Sequence, residues 1–306
     1  MALINSTDGF CAEDLNEFYS TSLLQGVTVG AIRVIPNVKN SVKLASFDWG
    51  SVLQEADCDF TDGNGGTLDQ KTLSVCPVKI NESFCLTTVE ATFLAKRLRA
   101  GSNTGEVLPG EFEAYVLSEM SMRVQNDIEN LIWKGDVDGS PASLCDGFLK
   151  LMTADTATLK VTGTTLSASN IIAELTKVYN KIPSTIVFNT GDAAPKIFIS
   201  PEAARFYQIA QGALTGNNNA GYDASKMFNF LGIELVVTPG LSGTAANKMV
   251  AAIPSNLWFG TDLISDFDDT YLIDMSKTTG AKQARLIGGL KLGVNYGVSA
   301  EVVLYA

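Results

Sequence analysis

Histidine is absent from this chain of 306 residues. Its absence removes the commonest general base and metal ligand, and it closes Ser-His and Cys-His catalysis. Cysteine is scarce: Cys11, Cys58, Cys76, Cys85 and Cys145 are odd in number, scattered, and without a Cys-x-x-Cys spacing. That pattern argues against a zinc site or a disulfide framework and predicts free, mostly buried thiols in a reducing compartment. No run of about 18 apolar residues occurs, so no transmembrane helix is expected. The opening MALINSTDGF has neither the basic start nor the apolar centre of a signal peptide, so the chain is expected to stay where it is made. Charge is also sparse, at 18% of residues, and the net value is −11. An acidic chain is a poor nucleic-acid reader, because such affinity comes chiefly from neutralising phosphates with Lys and Arg. No Walker or dinucleotide loop is present. With 46% hydrophobic residues, the chain is globular and can bury one large core or two modest ones.

What the sequence does offer is a long amphipathic helix. Phe112, Val116, Met120, Val124, Ile128 and Leu131 recur at spacings of four and three, widened by Tyr115 and Ile132. Pro109 suits a first helical position, Glu111 and Glu113 place negative charge at the N-terminal dipole, and Lys134 with Gly135 predicts a cationic, left-handed stop. A helix over 110–134 would be roughly 35 Å long, about twice the mean globular length. It reads as a strut.

Before it, residues 12–24 form a short amphipathic stretch through Leu15, Phe18, Tyr19 and Leu23, followed by the alternating VTVGAIRVIPNVK. Residues 41–90 then alternate in two strand-like arms around Asp62, Gly63, Asn64, Gly65 and Gly66. The Asp-Gly and Asn-Gly steps favour the positive φ of a tight turn. Asp57, Asp59 and Asp62 do not match a calcium loop, since Thr61 and Asp62 stand where the third ligand and the Gly would be. An isolated two-stranded ribbon is marginal in water, so this one must lie on something. Residues 87–98 predict a shorter helix ending in the basic cluster Lys96, Arg97 and Arg99.

After the strut, Ile171, Ile172, Leu175 and Val178 predict a helix capped by Ser167 or Ser169, with Pro183 beyond it. KIFISPEAARFYQIAQG predicts strand, turn, helix: Ser200 caps, Pro201 takes the first helical position, and Gly212 ends the helix. Asn217, Asn218 and Asn219 predict an exposed loop. Asp266, Asp268 and Asp269 read as a solvated acidic turn before a set of C-terminal strands.

The segment after the strut, IWKGDVDGSPASLCDGFLKL, resembles the one that follows the spine helix in major capsid proteins of tailed bacteriophages, the Hong Kong 97 fold. Gly135, Asp136, Gly139, Pro141, Gly147, Phe148 and Leu149 carry the likeness, and there a Gly-Asp turn leads into a Gly-led apolar strand. Arg285, Leu286, Gly293, Val294 and Ala300 carry a second likeness near the C-terminus. The resemblance implies an α+β fold: an N-terminal arm (1–40), an extended E-loop hairpin (41–90), a P domain with the spine helix (91–160), an A domain (161–262) and a return to the P-domain sheet (263–306). It implies that Asp62, Gly63, Asn64, Gly65 and Gly66 meet a neighbouring subunit. It makes Phe112, Val116, Met120, Val124, Ile128 and Leu131 the core face of the spine helix, and it sets Asn217, Asn218 and Asn219 near the capsomer axis.

The function implied is structural rather than enzymatic, with no cofactor, no metal and no membrane. Pentamers and hexamers would close an icosahedral shell around double-stranded DNA without sequence-specific binding, in a virion assembled in host cytoplasm. Separate scaffolding, portal and decoration or auxiliary proteins are the implied partners. Lys71 and Lys79 lie on the hairpin where some relatives form isopeptide cross-links, but no motif supplies their partner. The alternatives are an encapsulin-like nanocompartment enclosing protein, and a soluble acidic enzyme using carboxylates.

Overall fold

A computed structural model describes residues 26–48, 53, 66–85, 110–139, 144–214, 228–262, 271–275, 280 and 283–306. The expected amphipathic stretch 12–24, hairpin-tip residues 62–65, helix 87–98, Asn loop 217–219 and acidic turn 266–269 lie outside the described residues. In chain order the elements are α1 (Val27–Ala31), β1 (Arg33–Ile35), β2 (Ser41–Asp48), β3 (Thr67–Ser74), β4 (Cys76–Cys85) and α2 (Gly110–Lys134). There follow α3 (Phe148–Ala154), β5 (Leu159–Val161), α4 (Ile171–Lys181), β6 (Lys196–Ile199) and α5 (Pro201–Leu214). The chain ends through β7 (Asn229–Phe230), β8 (Ile233–Val237), β9 (Met249–Ala252), β10 (Leu257–Thr261), β11 (Tyr271–Asp274), β12 (Gln283–Tyr296) and β13 (Val303–Tyr305).

A six-stranded mixed sheet in the order β5-β13-β9-β6-β8-β7 organises the body. Its central strands β9 and β13 are continuous apolar runs because both faces are covered. Ile197, Ile199, Met249, Ala251, Val303 and Tyr305 point into a core with Leu175 and Val178 of α4 and Tyr207 of α5. The alternate residues Phe198, Val250, Ala252 and Leu304 point the other way, into a core with Ile128, Ile132 and Trp133 of α2. The period of two along each strand thus splits the chain's apolar content between two cores. A second sheet, β1-β10-β12-β11 with β4 also on β12, closes the α2 core through Phe259, Leu292, Val294 and Tyr296. β2 and β3 form a separate two-stranded ribbon, registered from Ser41↔Ser74 to Asp48↔Thr67.

The helix Gly110–Lys134 stands where the periodicity places it. Four local expectations are corrected. Val27–Ala31 is a helical turn, not part of an alternating strand, because Thr28 bonds to α2. Phe148–Ala154 is helical where the resemblance implies a strand: Phe148, Leu149 and Met152 are all buried at helical spacing. α4 begins at Ile171 with Asn170 at the cap position and no side-chain cap, so neither serine caps it; Asn170 Oδ1 instead accepts from the Ser167 N–H at 2.8 Å. α5 runs past Gly212 to Leu214. Ser200 does cap α5, its Oγ accepting from the Ala203 N–H at 3.0 Å while donating to the Ala246 carbonyl at 2.8 Å. The C-terminal return serves both sheets: β12 joins β4, β10 and β11, whereas β13, buried on both faces, sits between β5 and β9.

Candidate functional site: the hairpin root and its anchors

The ribbon is held at one end. Alternation gives it two faces, one carrying Val42, Leu44, Leu73 and Lys71, and Leu44 and Leu73 are buried where that face meets the body. Leu73 fills a notch that only glycine leaves open, since a Cβ on Gly260 would come within 2.8 Å of its Cδ2. A Cβ on Gly293 would stand 2.1 Å from the Ser74 carbonyl oxygen. The Asn295 side-chain amide donates to the Thr72 carbonyl at 2.8 Å. Farther out, Phe47 and Leu68 face each other across the strands and are exposed. Beside the root, a cleft of about 450 Å³ separates the ribbon from the body, lined by Val42, Leu44, Trp258, Val298 and Glu301.

Lys71 latches the root. Its Nζ donates to Asp155 Oδ2 at 2.9 Å and to Ser299 Oγ at 2.6 Å, and it lies 3.6 Å from the centre of the Tyr296 ring. The Ser299 and Tyr296 hydroxyls also donate to Asp155 Oδ2, at 2.6 Å and 2.9 Å. Burial pushes Asp155 up. The donors Ser299, Lys71, the Ala157 N–H and Tyr296 outweigh it and hold the carboxyl well below the usual carboxylate range. Tyr296 moves the opposite way, raised by burial and by the neighbouring Asp155 charge against the lowering effect of Thr158. Lys71 is therefore engaged within its own chain.

A second anchor ties α1 to α2. Glu129 is 3% exposed in the α2 core, and its carboxylate accepts the Thr28 N–H at 2.7 Å and the Thr28 hydroxyl at 2.5 Å. Trp133 Nε1 donates to Thr28 Oγ1 at 2.7 Å. Burial raises the Glu129 pKa, and the two Thr28 bonds offset that only in part. The turn Pro239–Leu241 also lies against α2, because Gly240 lets the backbone approach; a Cβ there would meet the Glu129 carbonyl oxygen at 2.3 Å.

The end of α2 is a third fixed point. Gly135 is not left-handed, contrary to the expected stop. It is needed for close approach, since a Cβ would lie 2.2 Å from the Cys145 carbonyl oxygen and 2.6 Å from that of Leu131. The Gly147 N–H donates to the Gly135 carbonyl at 2.8 Å, and Lys150 gathers Asp136, Asp138 and Asp146 at 2.7, 2.7 and 2.8 Å. Those carboxylates, Asp136 first, raise the Lys150 pKa. Cys145 in this turn is joined to Cys76 at the start of β4, with Cα atoms 6.0 Å apart. This corrects the expectation of free thiols: the pair is 69 residues apart in sequence and is brought together by tertiary packing alone.

Of the residues singled out in the sequence, Ile128 is buried, and Val124 and Leu131 are partly buried against the same core. The side chains of Phe112, Val116 and Met120 lie outside the described ones, as do Asp62, Gly63, Asn64, Asn217, Asn218 and Asn219, and Gly65. Gly66 packs under the Phe47 ring at the outer end of the ribbon. The anchors Thr28, Glu129 and Asp155 were missed, and Lys71 was named only as a hairpin lysine, without its partners Asp155 and Ser299. Glu129 left one legible signal, a charge lying between Ile128 and Ile132 in the apolar stripe and four residues before Trp133.

The whole arrangement has counterparts among solved structures. A structure from Gordonia phage Cozz superposes with a TM-score of 0.59 at 13% identity, covering 92% of this chain and 86% of that one. The satellite phage P4 procapsid including size determination (Sid) protein gives 0.57 at 11% identity, over 95% and 98%. The chain has the Hong Kong 97-like capsid fold. A virus-like particle from Pyrococcus furiosus is also similar, with a TM-score of 0.52 at 11% identity over 94% and 96%. No protein-family model and no curated protein matches the sequence.

Proposed function

We propose that this chain is the major capsid protein of a tailed bacteriophage, assembling as pentamers and hexamers into an icosahedral shell around double-stranded DNA. The observation that carries the reading is the likeness to phage capsid structures over nine-tenths or more of the chain. The division into N-terminal arm, E-loop, P domain, A domain and C-terminal return belongs to this proposal, as do subunit contacts at the hairpin tip and near the Asn loop. The role is mechanical. A ribbon rooted by a latch and exposing Phe47 and Leu68 farther out offers surface to a neighbour, and modest contacts become strong when closed symmetry repeats them. A net charge of −11 suits a wall that encloses DNA without gripping its phosphates. Scaffolding, portal and decoration proteins would be supplied separately, with assembly in the host cytoplasm and a final place in the virion.

The likeness to the Pyrococcus furiosus particle supports a second reading, an encapsulin-like shell around protein cargo. Electron microscopy of particles made by the full chain, with assay of their contents, separates the two. Shells containing DNA when formed in a phage-producing host support the first reading; shells containing protein and no DNA support the second. A chain that stays monomeric with and without a scaffolding partner contradicts both.

A further inference from the structure

Cys76 and Cys145 occupy a site built for two oxidation states. Cys76 begins β4 two residues after the ribbon ends, and Cys145 is 2% exposed in the turn between α2 and α3. In the β4–β12 register Cys76 lies opposite Leu292, and the Leu292 carbonyl oxygen is 3.4 Å from Cys145 Sγ. As a thiol, Cys145 therefore has an acceptor for its S–H; as half of a disulfide, it has Cys76 at bonding contact. Neither state leaves a buried polar group unpartnered.

We propose that this pair is a redox-gated staple, a dithiol while subunits are made and assembled in a reducing compartment and a disulfide after release into an oxidising medium. Its timing rests on the shell reading, whereas the bond itself does not. The oxidant is a low-molecular-weight disulfide such as glutathione disulfide. The thiolate of Cys76, the more exposed of the two, attacks one sulfur of that disulfide, giving a mixed disulfide and releasing one small thiolate. The Cys145 thiolate then attacks the Cys76 sulfur, forming the intrachain bond and expelling the second small thiolate. The two protons lost by the cysteines end on the two released thiols, and the pair's two electrons reduce the external disulfide. The bond fixes the hairpin root to the end of the spine helix. It also closes a loop that includes all of α2, so it restricts the unfolded chain as well.

The test uses the full chain, purified with reductant and then equilibrated with glutathione disulfide before any assembly step. After trapping of free thiols, peptide mapping should find the Cys76–Cys145 peptide as the main cross-link, two hydrogens lighter than its parts. The oxidised chain should melt about 5 °C above the reduced one. That difference should vanish in Cys76→Ser, at a partly exposed position, and in Cys145→Ala, which places no unpaired polar group in the core. Absence of the cross-link, or equal melting of oxidised and reduced wild type, overturns the proposal. A cross-linked chain that forms no shell supports the staple and counts against the shell reading alone.

Discussion

Lys71 is the residue on which the position of the ribbon depends most directly. Its ion pair with Asp155 is about four-fifths buried on both sides, where hydrogen bonds to charged groups contribute about 1.5–3 kcal/mol each. Lys71→Met keeps the length of the side chain and removes the charge. It should lower unfolding free energy by about 2 kcal/mol and increase hydrogen exchange in β2 and β3 more than in the six-stranded sheet. In a double-mutant cycle with Asp155→Asn, the two changes should be less than additive. Acid acts through the same pair. Because the Asp155 carboxyl is depressed, its contribution is complete above the unfolded value near 3.8 and is lost as pH falls toward the folded one. Asp155→Asn should reduce the acid limb of a stability-pH curve measured by denaturant titration, with Glu174 and Asp136, also held below their usual range, supplying the remainder.

Glu129 has the opposite sign. Its raised pKa means that its own contribution is fully present below the ordinary value of 4.5 and is lost as pH rises through the folded value. Glu129→Gln keeps an acceptor for the Thr28 N–H and should flatten this decline. A wild-type minus Glu129→Gln difference that does not change with pH contradicts the burial argument.

At the scale of elements, glycines decide how closely the pieces approach. Gly135→Ala puts a methyl group 2.2 Å from a carbonyl oxygen and should cost about 1–3 kcal/mol, as overpacking does. Gly212→Ala, in open space inside α5, should instead stabilise by up to about 1 kcal/mol. Chemical denaturation of the two variants checks the contrast. The same elements show what the sequence could reveal. α2 was legible because its apolar stripe follows the helical period and Lys134 marks its last turn, although Gly135 ends it by close approach rather than by a left-handed turn, and α5 because Ser200, Pro201 and Glu202 spell a helix start. α3 was not, since seven residues carry too few turns for a period and its Gly-led start is equally that of a strand. The latch and the cysteine pair were invisible for another reason. Lys71 and Asp155 are 84 residues apart, and no local pattern encodes a meeting made by β12, β13 and the ribbon folding together.

At the scale of the whole molecule, the six-stranded sheet has a core on each face, and the C-terminal half of α2 packs into one of them. Such a subunit suits load-bearing: its covalent and polar anchors lie at the roots of the extended parts, while the ribbon's outer half is left exposed. On the proposed shell reading, contacts among copies are the source of function. The most direct measurement is cryo-electron microscopy of the full chain expressed with and without a scaffolding partner, with mass photometry of the same samples. The account predicts closed shells, or free rings of five and six subunits, with each ribbon lying across an adjacent subunit. A population that remains monomeric or dimeric under both conditions, or shells in which the ribbons touch no neighbour, contradicts it.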